Sequence, residues 1–312
     1  MRRPLRSALV TGGAGFVGHG IVRALHHRGV RVRVLDPGPA HPDWPLAVEH
    51  HQGSVLDGPG LRAAAHGVDL ILHAAGVWDG GPGGEQRMQT LNVGGTRRVL
   101  ELGLPTVYTS SSITCGFGPW ARPGLEDDPS EDPEHPVLGA GGAYRRSKLE
   151  AEERVREAGG FIVNPDYVVG AGDANGVVTG PLLKASRLRL LPAPRGGKCF
   201  VGVDDVGEGH VRAWLHGRPG RRYLLGAENR RYADVLRTLA RLQGLRLRLL
   251  PIPEVVPRVV ARIPGLRSRA AEVEQMNLER YRSSARAQRE LGWVPGPVDQ
   301  ALQDTVNWAG GP

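Results

Sequence analysis

An α/β fold built on a doubly wound parallel sheet, with a smaller mixed α/β unit towards the C-terminus, is predicted by three observations. A strand, a glycine-rich turn, a helix and a second strand ending in an acid follow one another within about thirty residues near the N-terminus. Short apolar runs then alternate with helical patterns as far as Pro165, the rhythm of βαβ units. Beyond Pro165 that alternation fades and mixed elements follow. The expected division is residues 1–165 and 166–312, with Val201–Leu215 and Tyr223–Gly226 returning to the first unit.

Ser7 to Val10 reads as a short apolar strand that runs into Thr11-Gly12-Gly13-Ala14-Gly15-Phe16-Val17-Gly18. Ile21, Val22 and Leu25 share one face of the helix that follows, which ends at Gly29. Val30 to Leu35 alternates as a strand and stops at Asp36-Pro37. The three glycines have separate tasks in such a unit. Gly12 permits the tight turn, Gly15 lets backbone approach a pyrophosphate at the helix N-terminus, and Gly18 lets the helix pack close to the strand. Phe16 and Val17 open that helix. An acid at the end of the second strand accepts hydrogen bonds from the adenosine ribose and repels a 2′-phosphate. Asp36 therefore predicts NAD rather than NADP.

Val48 to Leu56 suggests a third strand ending at Gly53-Ser54-Val55, and Leu61 to Ala65 a helix. Leu70 to Ala74 reads as a buried strand. The small run Ala74-Ala75-Gly76 lets a cofactor lie against its carboxyl end. Asp79 to Gly84 reads as a loop, and a helix then carries Leu91-Asn92-Val93 and ends near Gly103. Thr106 to Thr109 is the next strand, ending in Ser110-Ser111-Ser112. Glu126 to His135 is acidic and proline-rich, a solvated loop or a lid over a substrate. A helix carrying Tyr144 runs to about Ala158, and Phe161 to Val163 is a strand ending at Asn164-Pro165. Later come helices at Pro181–Arg189, Val206–Leu215 and Tyr232–Leu242, and strands at Cys199–Val203 and Tyr223–Gly226. Val255, Val256, Val259, Val260 and Ile263 form an apolar stripe opposite Arg258 and Arg262. It packs on its own domain or touches a membrane.

In Tyr144-Arg145-Arg146-Ser147-Lys148, helical spacing puts Tyr144 and Lys148 one turn apart on the same face. An ammonium near a phenol favours the phenolate and so tunes it for proton transfer. The chain holds 40 Lys and Arg, yet Lys148, Lys184 and Lys198 are its only lysines. A lysine beside Tyr144 in so arginine-rich a chain suggests a need for a compact ammonium.

The formal charge of +8 invites a nucleic-acid reading, but the arginines are dispersed and form no block. No nucleic-acid partner is expected. Cys115 and Cys199 are too few for a disulfide framework, so a cytoplasmic chain with free thiols is expected. No stretch reaches the roughly 18 apolar residues of a membrane span. No histidine or cysteine spacing suggests a metal.

Together these motifs resemble the extended short-chain dehydrogenases/reductases, the NAD-dependent epimerase/dehydratase group. Further motifs that carry the likeness are His73-Ala74-Ala75-Gly76, Asn92-Val93-Gly94-Gly95-Thr96, Tyr108-Thr109-Ser110-Ser111, Asn164-Pro165, Val203-Asp204-Asp205-Val206, and the tail from Ser283 to Trp293. The chain looks most like the branch of 3β-hydroxysteroid dehydrogenase-like, dihydroflavonol reductase-like and hopanoid-associated sugar epimerase-like proteins. The resemblance implies a Rossmann-type fold, a homodimer and a triad of Ser111, Tyr144 and Lys148, with Ser112 as fallback for the serine. Tyr144 would be the acid/base, and Lys148 would bind the nicotinamide ribose and lower the tyrosine pKa. The cofactor set it implies is Gly12, Gly15, Phe16, Val17, Gly18, Asp36, Ser54, Val55, Ala74, Ala75, Gly76, Asn92, Thr109, Tyr144, Lys148, Asn164 and Pro165. Three departures stand out. Ser54 replaces an acid beside the adenine, and Ser112-Ile113 replaces the Asp-Glu pair of sugar dehydratases. Lys198-Cys199 replaces the Arg-Asp with which sugar-nucleotide enzymes grip a diphosphate, which leaves Lys198 as a candidate substrate contact.

Three functions follow as expectations. The first is an oxidoreductase moving hydride between nicotinamide C4 and a secondary alcohol or ketone carbon. The second is a nucleoside-diphosphate-sugar epimerase that keeps NAD tightly bound and reduces it transiently. The third is a non-catalytic dinucleotide sensor. The expected partner is a small molecule bearing a hydroxyl or ketone.

Overall fold

The computed structural model describes residues 5–41, 44, 47–131, 139–250 and 276–310. Seven parallel strands form the central sheet in the order β10-β6-β5-β4-β1-β2-β3. They are β1 (Ser7–Thr11), β2 (Arg31–Asp36), β3 (Glu49–Gln52), β4 (Leu70–His73), β5 (Thr106–Thr109), β6 (Phe161–Pro165) and β10 (Arg222–Leu225). The strand order reverses between β1 and β4, which opens a crevice at their carboxyl ends. Strand alternation explains why both faces are covered. Ala8 and Val10 face one core with Ile21, Val22 and Leu25, whereas Leu9 and Ile71 face another with Leu61 and Val99.

Helix α1 (Phe16–His26) lies against α7 (Val203–His216) on the first face. Glycines bring the two axes close. A Cβ at Gly20 would meet the Val203 carbonyl oxygen at 2.5 Å, and one at Gly207 would meet the Gly20 carbonyl oxygen at 2.2 Å. Helix α5 (Gly139–Glu157) packs Ala151 and Val155 on Tyr108 and Ile162 of the other face. The helix predicted around Asn92 is not uniform. A π-helical turn, Gln89–Gly95, interrupts α3 (Gly84–Met88) and α4 (Thr96–Leu100), and the extra residue per turn places Asn92.

A second sheet joins segments remote in sequence. Its strands β7 (Tyr167–Val169), β11 (Glu228–Arg231) and β13 (Glu279–Arg280) all pair with β9 (Gly197–Gly202). Val201 and Gly202 thus lie in this sheet, while the residues that follow in α7 cover the large one. Helices α6 (Gly180–Ser186), α8 (Tyr232–Leu242) and α10 (Val298–Ala309) surround the second core, and α9 (Ala285–Leu291) rests on α7. A two-stranded pair joins β8 (Leu190–Pro192) to β12 (Arg248–Leu250). The strand expected to run from Val48 to Leu56 is only four residues long, because Gly53 turns the chain towards the crevice. Glu126 is buried rather than solvated: Leu224 N–H donates to it, and Arg286 lies 3.5 Å away. Residues 132–135 of that acidic segment, and the valine stripe at 255–263, lie outside the described residues.

Candidate active site

The crevice between β1 and β4 is a cleft of about 420 Å³. Gly12, Gly15, Asp36, Ser54, Val55 and Gly76 line it. Gly12 has a positive φ of 72°, and a Cβ there would lie 2.6 Å from Ala75 N. A Cβ on Gly18 would fall 2.0 Å from the Gly12 carbonyl oxygen. Backbone alone therefore forms the floor, and no side chain caps the N-terminus of α1. Orphan amides and a positive helix end are what a pyrophosphate requires. Asp36 sits at the tip of β2 and accepts from Ala14 N–H (3.1 Å) and Gly38 N–H (2.8 Å). Arg33 points elsewhere: it pairs with Glu49 at 3.0 Å and donates to the carbonyls of Ala64 and His66. These residues fit the pyrophosphate and adenosine ribose of a dinucleotide.

Ser111, Tyr144 and Lys148 come together beside this cleft, linked to it through Gly76, whose Cβ position is 3.2 Å from Lys148 Nζ. Ser111 opens a short helical turn, Ser112–Thr114, at the end of β5, and its hydroxyl hydrogen-bonds the Tyr144 phenol. Lys148 Nζ donates to the Thr109 carbonyl at 3.0 Å and lies 5.8 Å from the centre of the Tyr144 ring. Burial pushes the Tyr144 phenol up to about 12, and the Ser111 hydrogen bond pulls the other way. Burial also brings the Lys148 ammonium down to about 8, against the pull of Glu152.

The remaining predicted residues divide by direction. Asn92 is 0% exposed and ties the strand end to α5: its side chain exchanges hydrogen bonds with Val77 backbone and donates to Ser147 Oγ. Thr109 turns its hydroxyl to His210 on α7. Asn164 points inward, donating towards Glu152 at 2.7 Å and the Ser111 carbonyl at 3.2 Å, and Pro165 closes β6 beside it. Phe16 and Val17 pack on the core at the head of α1. The Ser112 hydroxyl donates to Asp166 at 2.8 Å, and the Asp166 side chain is 0% exposed. Lys198 lies 3.8 Å from the same carboxylate, which also accepts from Arg282 at 2.8 Å. Sequence reasoning missed Ala174 and Asn175, which reach the cleft from beyond β7 without any motif. It also missed Glu152, although its spacing of four from Lys148 was open to view.

Two histidines near the cleft are buried and neutral. His210 donates Nδ1–H to the Val206 carbonyl, so its Nε2 accepts from Thr109 Oγ1. Thr96 Oγ1 donates to the Asn92 carbonyl, so His73 Nε2–H donates to Thr96 and Nδ1 accepts from Thr11. Burial lowers His73 to about 3 and His210 to about 4. The unfolded chain therefore binds more protons than the folded one once pH drops below the ordinary value near 6.5. Stability is full above that pH and is lost as pH falls. Each histidine should cost about 1 kcal/mol between pH 6.5 and 5.5. Urea unfolding at the two pH values measures it, and His210→Gln should reduce the loss.

Fold and cleft define a dinucleotide-dependent enzyme of the doubly wound α/β class. The sequence pattern of the NAD dependent epimerase/dehydratase family matches residues 8–226, and the chain belongs to that family. A Synechocystis protein provisionally named a dihydroflavonol 4-reductase is 31% identical, with 96% of this chain and 93% of that protein aligned. Sterol demethylase protein B of Methylococcus capsulatus is 30% identical over 97% and 98% of the two chains. The crystal structure of the Bordetella bronchiseptica enzyme WbmF with NADH superposes with a TM-score of 0.73. At 21% identity it covers 97% of this chain and 91% of its own, and shares the fold. The protein is thus an NAD(P)-dependent enzyme of a family of dehydrogenases, reductases and epimerases. Among the described residues no helix is long and apolar enough to cross a membrane.

Proposed function

We propose that the protein moves hydride between a nicotinamide and a secondary alcohol or ketone carbon of a small molecule, with Tyr144 as acid/base and NAD preferred over NADP. The observation that carries this reading is the convergence of Ser111, Tyr144 and Lys148 next to the cleft through Gly76. Bound NAD(H) supplies the hydride chemistry, and Gly12, Gly15, Gly18, Asp36 and Lys148 would hold it. A phenol raised by burial stays protonated at neutral pH, so Tyr144 is set to give its proton to a ketone oxygen as negative charge grows there. The Ser111 hydroxyl would bond the same oxygen. The Lys148 ammonium would then steady the phenolate until a proton returns. A second reading, the nucleoside-diphosphate-sugar epimerase, draws support from Lys198 and Arg280, which stand opposite each other on β9 and β13. Asp166 neutralises part of that charge, and this ranks the epimerase second.

The test is NADH absorbance with a panel of ketones and alcohols, beside chromatography of UDP-sugars. Stoichiometric loss of NADH with a ketone supports the reading, whereas isomerised sugar without net cofactor change would replace it by the epimerase. Cofactor choice is tested by calorimetry of the apo protein. NADH should bind at least tenfold tighter than NADPH, roughly 1.4 kcal/mol, because two anions would meet at Asp36 and Arg33 is tied to Glu49. Asp36→Ala should narrow the gap, and equal wild-type affinities would count against NAD.

A further inference from the structure

Among the buried acids that the proposed chemistry leaves unused, one lies within α5 itself. Glu152 stands one helical turn beyond Lys148 and two beyond Tyr144 on α5, and is 1% exposed. Its Oε1 accepts from the hydroxyls of Ser110 (2.5 Å) and Thr114 (2.6 Å) and from Asn164 Nδ2 (2.7 Å). Ser110 and Thr114 bracket Ser111, and Asn164 precedes Pro165. One oxygen therefore joins three elements: the helix with Tyr144 and Lys148, the serine turn after β5, and the end of β6. Oε2 has no hydrogen bond and lies 3.8 Å from Arg222 Nη1, which reaches in from β10. Burying a carboxylate this fully is costly, and packing alone would be served by an apolar side chain.

We propose that Glu152 is a positioning residue of the active site: it pins the Ser111 turn to the helix that carries Tyr144, and its charge keeps Lys148 an ammonium. The inference rests on the reading of Tyr144 and Lys148 given above. The groups facing Lys148 are the Thr109 carbonyl, the Tyr108 ring at 4.9 Å, the Tyr144 ring, neutral His73 on β4, and Glu152. Those facing Glu152 are Arg222 on β10, Tyr108 on β5, the Cys115 thiol after the serine turn, and Lys148. Burial keeps Tyr108 and Cys115 uncharged, so Arg222 and Lys148 are the two cations in balance with this acid.

The test needs no substrate. Lysine labelled at Cε gives three NMR signals, because the chain has three lysines. Lys148 should titrate near 8 in the apo protein. In Glu152→Gln, which keeps an acceptor oxygen but no charge, the midpoint should fall by about one unit. In Arg222→Met the uncompensated carboxylate should raise it. NADH binding by Arg222→Met should stay within threefold of wild type. An unmoved Lys148 midpoint in folded Glu152→Gln overturns the proposal. If that variant does not fold, a midpoint in Arg222→Met that stays or falls overturns it instead. Activity of Tyr144→Phe separates the two ideas. An inactive Tyr144→Phe with an unmoved Lys148 leaves the reading standing without Glu152, whereas an active one removes the reading whatever Lys148 does.

Discussion

Tyr144→Phe is expected to lose turnover by about a thousandfold, some 4 kcal/mol of transition-state stabilisation, while folding and binding NADH normally. The substitution removes a single hydroxyl. The ring keeps its place on α5, and Ser111 keeps its hydrogen bond from Ile113 N–H, so the serine turn has no reason to collapse. Cofactor affinity should hold, because the glycine floor and Asp36 lie elsewhere in the cleft. What disappears is the proton that the carbonyl oxygen must receive. Steady-state rates with whichever ketone the wild type reduces, beside NADH fluorescence titration, check this. Turnover within tenfold of wild type would remove Tyr144 from the chemistry.

Gly18→Ala should weaken NAD binding by about a hundredfold or more, roughly 2.7 kcal/mol. Its added methyl would lie 2.0 Å from the Gly12 carbonyl oxygen and 2.7 Å from Gly13 Cα. These are backbone atoms, so no side chain can swing aside. Helix α1 must draw back from the turn, and its first amides move with it. Gly29→Ala is the contrast. Gly29 has a positive φ of 69° but nothing within 4 Å, so that change should lower stability by about 1 kcal/mol and leave the cofactor alone. Calorimetric titration and thermal melting of both variants separate the effects. If Gly18→Ala binds NAD as the wild type does, the turn is not the pyrophosphate cradle.

The large sheet was legible from local pattern. Apolar alternation, glycine punctuation and the acid closing β2 are short-range signals, and the elements stand close to where they predict them. Thr106–Thr109 and Tyr232–Leu242 agree with their expected bounds. Tyr144 and Lys148 were legible for the same reason, because one turn of helix sets their spacing. The π-helical turn at Asn92 left no comparable mark, since it differs from an α-helix only in hydrogen-bond register. Nor could the spacing show that burial would be the largest influence on both groups, because it reports neighbours along a helix and not their depth.

By itself, then, the sequence determined the class of fold, the glycine cradle, the acid at β2 and the one-turn spacing of phenol and ammonium. Each is written within a few consecutive residues, where backbone geometry leaves little choice. Only the tertiary structure decided that Arg33 faces Glu49, that Thr109 serves His210, and that Ser112 is held by Asp166. It alone gathered β7, β9, β11 and β13 into one sheet and closed Ser110, Thr114 and Asn164 around Glu152. Those side-chain partners are 12 to 101 residues apart along the chain. Packing and the need to satisfy every buried polar group choose them, and neither leaves a periodic trace in the sequence.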